Sequence, residues 1–196
     1  MELDPDEVSM YRTLAGAVVP RPIAWVSTTS PDGVDNLAPY SFFNVAAVDP
    51  PVVMFAPVDD ADSPEGLKDT PRNVRETGEF VVNVVTESVA AAMNETAATL
   101  PAGESEFDRA DVTRADSRRV AAPRVAESPV AFECSLSEMV DVGGSTMVLG
   151  EVEWVHLDDE VTTDGKLDVR KLDAVGRLSG SFYATTDDRF SMERPP

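Results

Sequence analysis

Three groups of residues bring together functional groups at spacings that suggest a ligand site. The first is Asn36-Leu37-Ala38-Pro39-Tyr40-Ser41-Phe42-Phe43, where a strand-like run gives way to an amide, two hydroxyls and flat apolar rings. Pro39 fixes its own backbone and biases Ala38 to an extended conformation, which stiffens the segment. Such a stretch can hydrogen-bond one edge of a planar ligand and offer an apolar wall to the other. It is also the composition of a strand end with ordinary core aromatics. The second group is Lys68-Asp69-Thr70-Pro71-Arg72-Asn73. A helix opening at Pro71 would turn free backbone N–H groups and its positive end toward an anion, with Lys68, Thr70 and Arg72 beside it. The plain alternative is a cap whose cations pair with Asp69 and Glu76. The third is His156, which alternates along Glu153-Trp154-Val155-His156-Leu157 and suits a ligand contact or a structural strand position. Ser27 and Thr28 end an earlier strand within reach of a phosphate, or simply favour a strand. Arg21 suits a phosphate or an anchoring role between helix and strand.

The rest of the chain narrows the chemistry. It has one histidine and one cysteine, so no intrachain disulfide forms, and the sequence shows no metal-ligand cluster and no nucleophile beside a base. Cys134 sits in an alternating run, as a small buried hydrophobe would. Of 196 residues, 36 are acidic and 16 basic, giving a formal charge of −20 and a pI near 4.2. Acid spread along the whole chain suits a protein whose self-repulsion is screened by concentrated salt, as in a halophile's cytoplasm. Nucleic acid is a poor partner for such a surface. The N-terminus lacks the basic start and apolar core of a signal peptide, and no apolar run approaches the roughly 20 residues that span a bilayer.

The elements that must position these groups follow from pattern. Asp4-Pro5 reads as a helix start, with Val8, Tyr11 and Leu14 or Ala15 at helical spacing. Residues 23–29 and 34–38 read as strands joined across Pro31-Asp32-Gly33. The apolar runs at 52–56 and 80–85 suit buried strands, and a short helix from Thr70-Pro71 to Gly78 lies between them. Thr86 caps a helix whose apolar face carries Val89, Ala92, Met93, Thr96 and Ala97. Residues 100–119 form a polar, acidic excursion with one short helical or extended piece. Residues 130–140 and 146–157 make a hairpin around Gly143-Gly144, Asp164-Gly165 marks a turn, and residues 178–185 add a last strand. The order suggests α+β with one mostly antiparallel sheet, as a barrel or sandwich.

Arg21-Pro22-Ile23-Ala24, the segment Asn36–Phe43, Pro50-Pro51, Lys68-Asp69-Thr70 and the closing Arg177-Leu178-Ser179-Gly180-Ser181-Phe182-Tyr183 give the chain a more specific resemblance. Over about residues 10 to 185 it resembles the flavin reductase-like family of FMN-binding split barrels. Ser179 replaces the first glycine of the family's Arg-Leu-Gly-Gly pattern. The resemblance implies an α+β, mainly β fold: an FMN-binding split β-barrel with peripheral short helices, one domain across 1–196 with tails at 1–9 and 189–196. It implies FMN as cofactor, NADH or NADPH as transient co-substrate, and a homodimer. The FMN contacts it implies are Arg21, Ser27, Thr28, Asn36, Ala38, Pro39, Tyr40, Ser41, Phe42, Lys68, Asp69, Thr70 and Asn73, with His156 at the nicotinamide. Hydride transfer from nicotinamide to flavin needs stacking geometry more than an acid or base, in keeping with the shortage of catalytic side chains. Two alternatives stay open: an FMN carrier for electron transfer or sensing, and an oxidase of the pyridoxamine-phosphate type, whose substrate phosphate would need spare cations such as Arg21 and Arg177.

Overall fold

The computed structural model describes residues 2–61, 63, 66–101 and 103–195; Met1 and Pro196, the outer ends of the expected tails, lie outside them. In chain order the elements are α1 (Tyr11–Ala17), β1 (Arg21–Pro22), β2 (Ala24–Thr29), β3 (Asp35–Tyr40), β4 (Phe43–Val48), β5 (Pro51–Phe55), α2 (Asp69–Thr77) and β6 (Glu79–Val84). A 3-10 turn at Glu87–Val89 leads into α3 (Ala90–Glu95), followed by α4 (Glu106–Ala110), β7 (Arg114–Ala115) and β8 (Arg124–Val125). The long hairpin is β9 (Val130–Asp141) and β10 (Thr146–Leu157), and β11 (Thr162–Thr163), β12 (Lys166–Leu167), β13 (Val175–Arg177) and β14 (Tyr183–Thr185) close the chain.

Seven strands form one antiparallel sheet in the order β3-β2-β6-β9-β10-β5-β4. Its two outermost strands, β3 and β4, are joined in sequence by only Ser41 and Phe42. Laid flat, six strand spacings would separate them by roughly 29 Å. Two residues cannot cover that distance, so the sheet curls until its outer strands approach without pairing: a split barrel. A second small sheet, β1-β13-β14, lies beside it.

The barrel interior holds Ala24, Val26, Phe55, Phe80, Val82, Cys134 and Val148, with Val74 of α2 entering from one end. The opposite face of β2 and β3 carries Trp25 and Leu37, packed under Val89, Met93 and Phe107. Strand β2 is therefore buried on both sides, which is why it reads as a continuous run. Gly150 in β10 is required by the interior: a Cβ there would meet the Phe80 ring at 2.3 Å. Gly78 ends α2 in the left-handed region at φ 77°, the role its position in the sequence suggests.

Two expectations need correction. Asp4 caps only an isolated turn, donated to by Glu7 and Val8, and the first helix begins at Tyr11 with Tyr11 and Leu14 exposed. The run 178–185 is not one strand. Gly180, at φ 63°, breaks it into a turn closed by Leu178 N–H donating to Phe182 O at 3.0 Å. Ser179 needs no left-handed backbone, so the serine fits where the family pattern has glycine.

Candidate functional site

The open side of β3 is where the chemistry collects. Within β3 the Leu37 N–H points away from β2 and donates to Glu106 Oε2 at 3.0 Å. Alternation along an antiparallel strand gives Pro39 the same outward direction, and proline has no N–H to offer another strand. The edge therefore cannot extend the sheet, and two cavities open along it, meeting at Pro39 and Ala97.

The first cavity, about 480 Å³, is lined by Asn36, Ala38, Pro39 and Tyr40 of β3, by Lys68, Asp69, Thr70 and Arg72 at the start of α2, and by residues 96–100 after α3. It unites two of the three groups marked in the sequence. Lys68 is the N-cap residue of α2 and is exposed, with no partner among the described residues, whereas Arg72 pairs with Asp69. The first-turn N–H groups of a helix have no intrahelical partner, and Pro71, the third residue of α2, has none to satisfy.

Behind this cavity runs a buried polar network. Asn36 donates from Nδ2 to Glu106 Oε2 at 3.0 Å and accepts at Oδ1 from Thr70 at 2.6 Å and from Thr28 at 3.4 Å. Asn73 donates to Thr28 Oγ1 at 3.0 Å. Thr28, Asn36, Thr70, Asn73 and Glu106 are all buried. Burial raises the Glu106 carboxyl above its usual range, with the bonds from Leu37 and Asn36 opposing. Burial likewise holds the half-buried Tyr40 as a neutral phenol, well above its ordinary range. Glu106 lines the cavity and was not marked by the sequence.

The second cavity, about 650 Å³, is lined by Arg12 and Ala15 of α1, by Arg21, Pro39 and Ser41, by Asn94, and by Arg177 to Gly180 with Tyr183. Arg21 acts mainly as a staple here. Its guanidinium donates to the carbonyls of Ala15, Val18 and Leu178 and to the Ser41 hydroxyl, and it lies over the Phe42 ring. That fastens α1 and the β13 end to the start of β1 and leaves Arg21 little to give a ligand. Arg177 is held by Tyr183 and the Gly180 carbonyl.

Two expected contacts fall elsewhere. Ser27 lies on the Trp25 face of β2, fully buried, and donates to Pro123 O at 2.5 Å. Both faces of β2 are covered, so a hydroxyl there does not reach the cavity. His156 bonds through Nε2 to Glu133 and lines neither cavity. The register row Pro39–Trp25–Asn83–Ala131–His156 puts four strand spacings, about 19 Å along the sheet, between it and Pro39. Thr28 and Asn73 support the cavity wall from behind. Among the described residues no group of three or more His, Cys, Asp and Glu side chains could hold a metal, and no helix is long and apolar enough to cross a membrane.

Residues 15–172 match the family model of the flavin reductase like domain. An uncharacterized protein of Halalkalibacterium halodurans is 40% identical over 205 residues, covering 100% of this chain and 97% of its own. Nitrilotriacetate monooxygenase component B from Bacillus cereus superposes with a TM-score of 0.93 at 34% identity, over 98% of both chains. A split barrel domain structure from Shewanella frigidimarina, at 24% identity and a TM-score of 0.80, covers 98% of this chain and 94% of its own, and shows the shared fold. The chain belongs to the flavin reductase-like domain family.

Proposed function

We propose that this flavin reductase-like chain binds FMN along the open edge of β3 and transfers hydride to it from NADH or NADPH. The observation that carries the reading is the meeting of the stiff Asn36–Tyr40 edge with Lys68, unpaired among the described residues, at the start of α2. Lys68 and the first N–H groups of α2 take the phosphate. Ala38, Pro39, Tyr40 and Ser41 bound the ring and ribityl chain, Asp69 orders Arg72 beside them, and Phe42 packs under Arg21. The second cavity leaves room for a nicotinamide to approach the ring, with no catalytic acid or base required.

The oxidase alternative needs free cations for a second phosphate. Arg21 and Arg177 are both engaged within the chain, which counts against it. We further infer one functional domain across 1–196, a homodimer and a salt-rich cytoplasm. Tyr11 and Leu14 of α1, Val18 just after it, and Val45 and Val48 of β4 are exposed apolar residues on a chain of −20 charge, a surface suited to a second copy.

The test is direct. FMN added to the purified protein should give a bound-flavin absorption spectrum, and NADH or NADPH should bleach it anaerobically. A bound but unreduced flavin would favour the carrier reading. No flavin spectrum and no binding would end the proposal.

A further inference from the structure

The second cavity differs from the first in charge. Its described lining residues include three arginines, Arg12, Arg21 and Arg177, and no carboxylate, in a chain whose acids outnumber its bases 36 to 16. The first cavity sets Asp60, Asp69 and Glu106 against Lys68 and Arg72. Two of the three guanidinium groups are fixed at the wall of the second cavity by bonds to other residues that line it. Arg21 donates to the Ala15 and Leu178 carbonyls and to the Ser41 hydroxyl, and Arg177 donates to the Gly180 carbonyl and the Tyr183 phenol. All of these acceptors are neutral. The bonds therefore hold both groups in place without cancelling a charge that arginine does not lose by deprotonation. Arg12 is different. It lies three residues before the buried Ala15, on the face of α1 that lines the cavity. It is exposed and has no partner among the described residues.

We propose that the second cavity seats the phosphates of the hydride donor, with Arg12 as the free cation that grips them and Arg21 and Arg177 as a fixed positive field behind it. The inference rests on the flavin reading, in which Lys68 and the start of α2 hold the FMN phosphate in the first cavity. The cavities meet at Pro39 and Ala97, so a donor whose nicotinamide reaches the ring there extends its phosphates into the positive one. Its volume of about 650 Å³ suits a ligand of that size. Three uncancelled cations favour an anion of more than one charge, and arginine's planar donor fork matches phosphoryl oxygens. NADH offers such oxygens in its pyrophosphate; NADPH offers them there and in its 2′-phosphate.

The test begins without flavin. ADP-ribose, which keeps the pyrophosphate of NADH and lacks the nicotinamide, and its 2′-phosphorylated form are titrated by calorimetry against the flavin-free protein at one ionic strength. Wild type should bind both, Arg12→Gln should bind each about tenfold more weakly, and Arg12→Lys should recover most of the loss. An equal loss for the two ligands places the pyrophosphate at Arg12; a larger loss for the phosphorylated one places the 2′-phosphate there. In FMN-loaded Arg12→Gln the KM for NADH or NADPH should rise about tenfold with kcat little changed. Reduction by dihydronicotinamide riboside, which has no phosphate, should stay within about twofold of wild type. Wild type that binds neither form of ADP-ribose, Arg12→Gln that binds both as wild type does, or an equal loss with the riboside would overturn the proposal. So would pyridoxamine phosphate binding where ADP-ribose does not, which would revive the oxidase. A fall in FMN affinity in Arg12→Gln would put the flavin phosphate in the second cavity and overturn it too. Protein that takes ADP-ribose but no FMN would remove the flavin reading, and the donor assignment with it, while the Arg12 phosphate site stood.

Discussion

Glu106 and Glu133 are both carboxylates that folding takes almost wholly out of water, yet their surroundings differ. Glu106, beside the cavity, takes two neutral donors, Leu37 N–H and Asn36 Nδ2, at the same oxygen. Glu133, under residues 118–120, uses both oxygens, taking the N–H groups of Arg118, Arg119 and Val120 together with His156. Burial acts upward on both carboxyls. At Glu106 it wins, and the group lies above the usual range; at Glu133 the His156 bond and three N–H groups overrule it, and the group lies below. A carboxylate saturated with donors fastens a segment. One that lines a cavity and meets an amide fixes which way that amide turns.

Replacing each carboxylate by its amide tests that contrast most severely. Glu133→Gln puts an NH₂ group against backbone donors that cannot turn away, and each buried donor left unmet costs about 1–3 kcal/mol. Even with the NH₂ turned to the His156 side, the Arg118 N–H is left unmet, and that loss should lower the melting temperature by roughly 5 °C for a chain of this size, read by calorimetry. Glu106→Gln keeps its acceptor oxygen and removes a disfavoured charge, so stability at pH 7 should stay within about 0.5 kcal/mol of wild type or rise slightly. Equal losses in the two variants would dissolve the distinction.

The pH dependence should differ in sign. Glu133 has a depressed folded pKa, so its contribution is present above the unfolded value of about 4.3 and is lost as pH falls through the folded one. Glu106 has a raised folded pKa, so its contribution is full below about 4.3 and is lost as pH rises through the folded value. Melting curves from pH 3 to 7 should show a shallower acid loss in Glu133→Gln and a flatter neutral side in Glu106→Gln. The smallest expected effect is salt on the difference between the variants. Molar salt shortens the screening length to about 3 Å and should raise every melting temperature by relieving surface repulsion. The gap between the two variants should not move, because neither carboxylate is at the surface. A wild-type melting temperature indifferent to salt would refute the halophilic reading.

Much of the fold was legible because its signals are local. Thr70-Pro71 and Gly78 bracket α2, Gly143-Gly144 turns the long hairpin, and Pro39 stiffens the edge, each through its own backbone chemistry. The cavity was legible in the types at 36–41 and 68–70. Glu106 was not, because in a polar stretch rich in acids nothing marks the one that meets Asn36 across 70 positions. His156 was over-read, since alternation assigns a face of the sheet but not its distance from another strand. Ser27 was over-read because β2 is covered on both sides by segments far away in sequence. The start of α1 was misplaced because Tyr11 and Leu14 face outward and only Ala15 is buried, so the larger apolar residues carried no burial to confirm the spacing.

Lys68 has a kinetic consequence. An anion that reaches it must first cross the field of a molecule carrying −20 formal charge. That field repels at long range, while the cation attracts only within the last few ångströms, where screening matters least. Capture of a doubly charged ligand should therefore be slow in dilute buffer and quicken as salt is added, the reverse of ordinary steering between opposite charges. Once seated, the ligand's escape depends on the short contact and should change far less. A rate-controlled affinity of this kind would tune occupancy to the ionic strength around the protein without any movement of its chain.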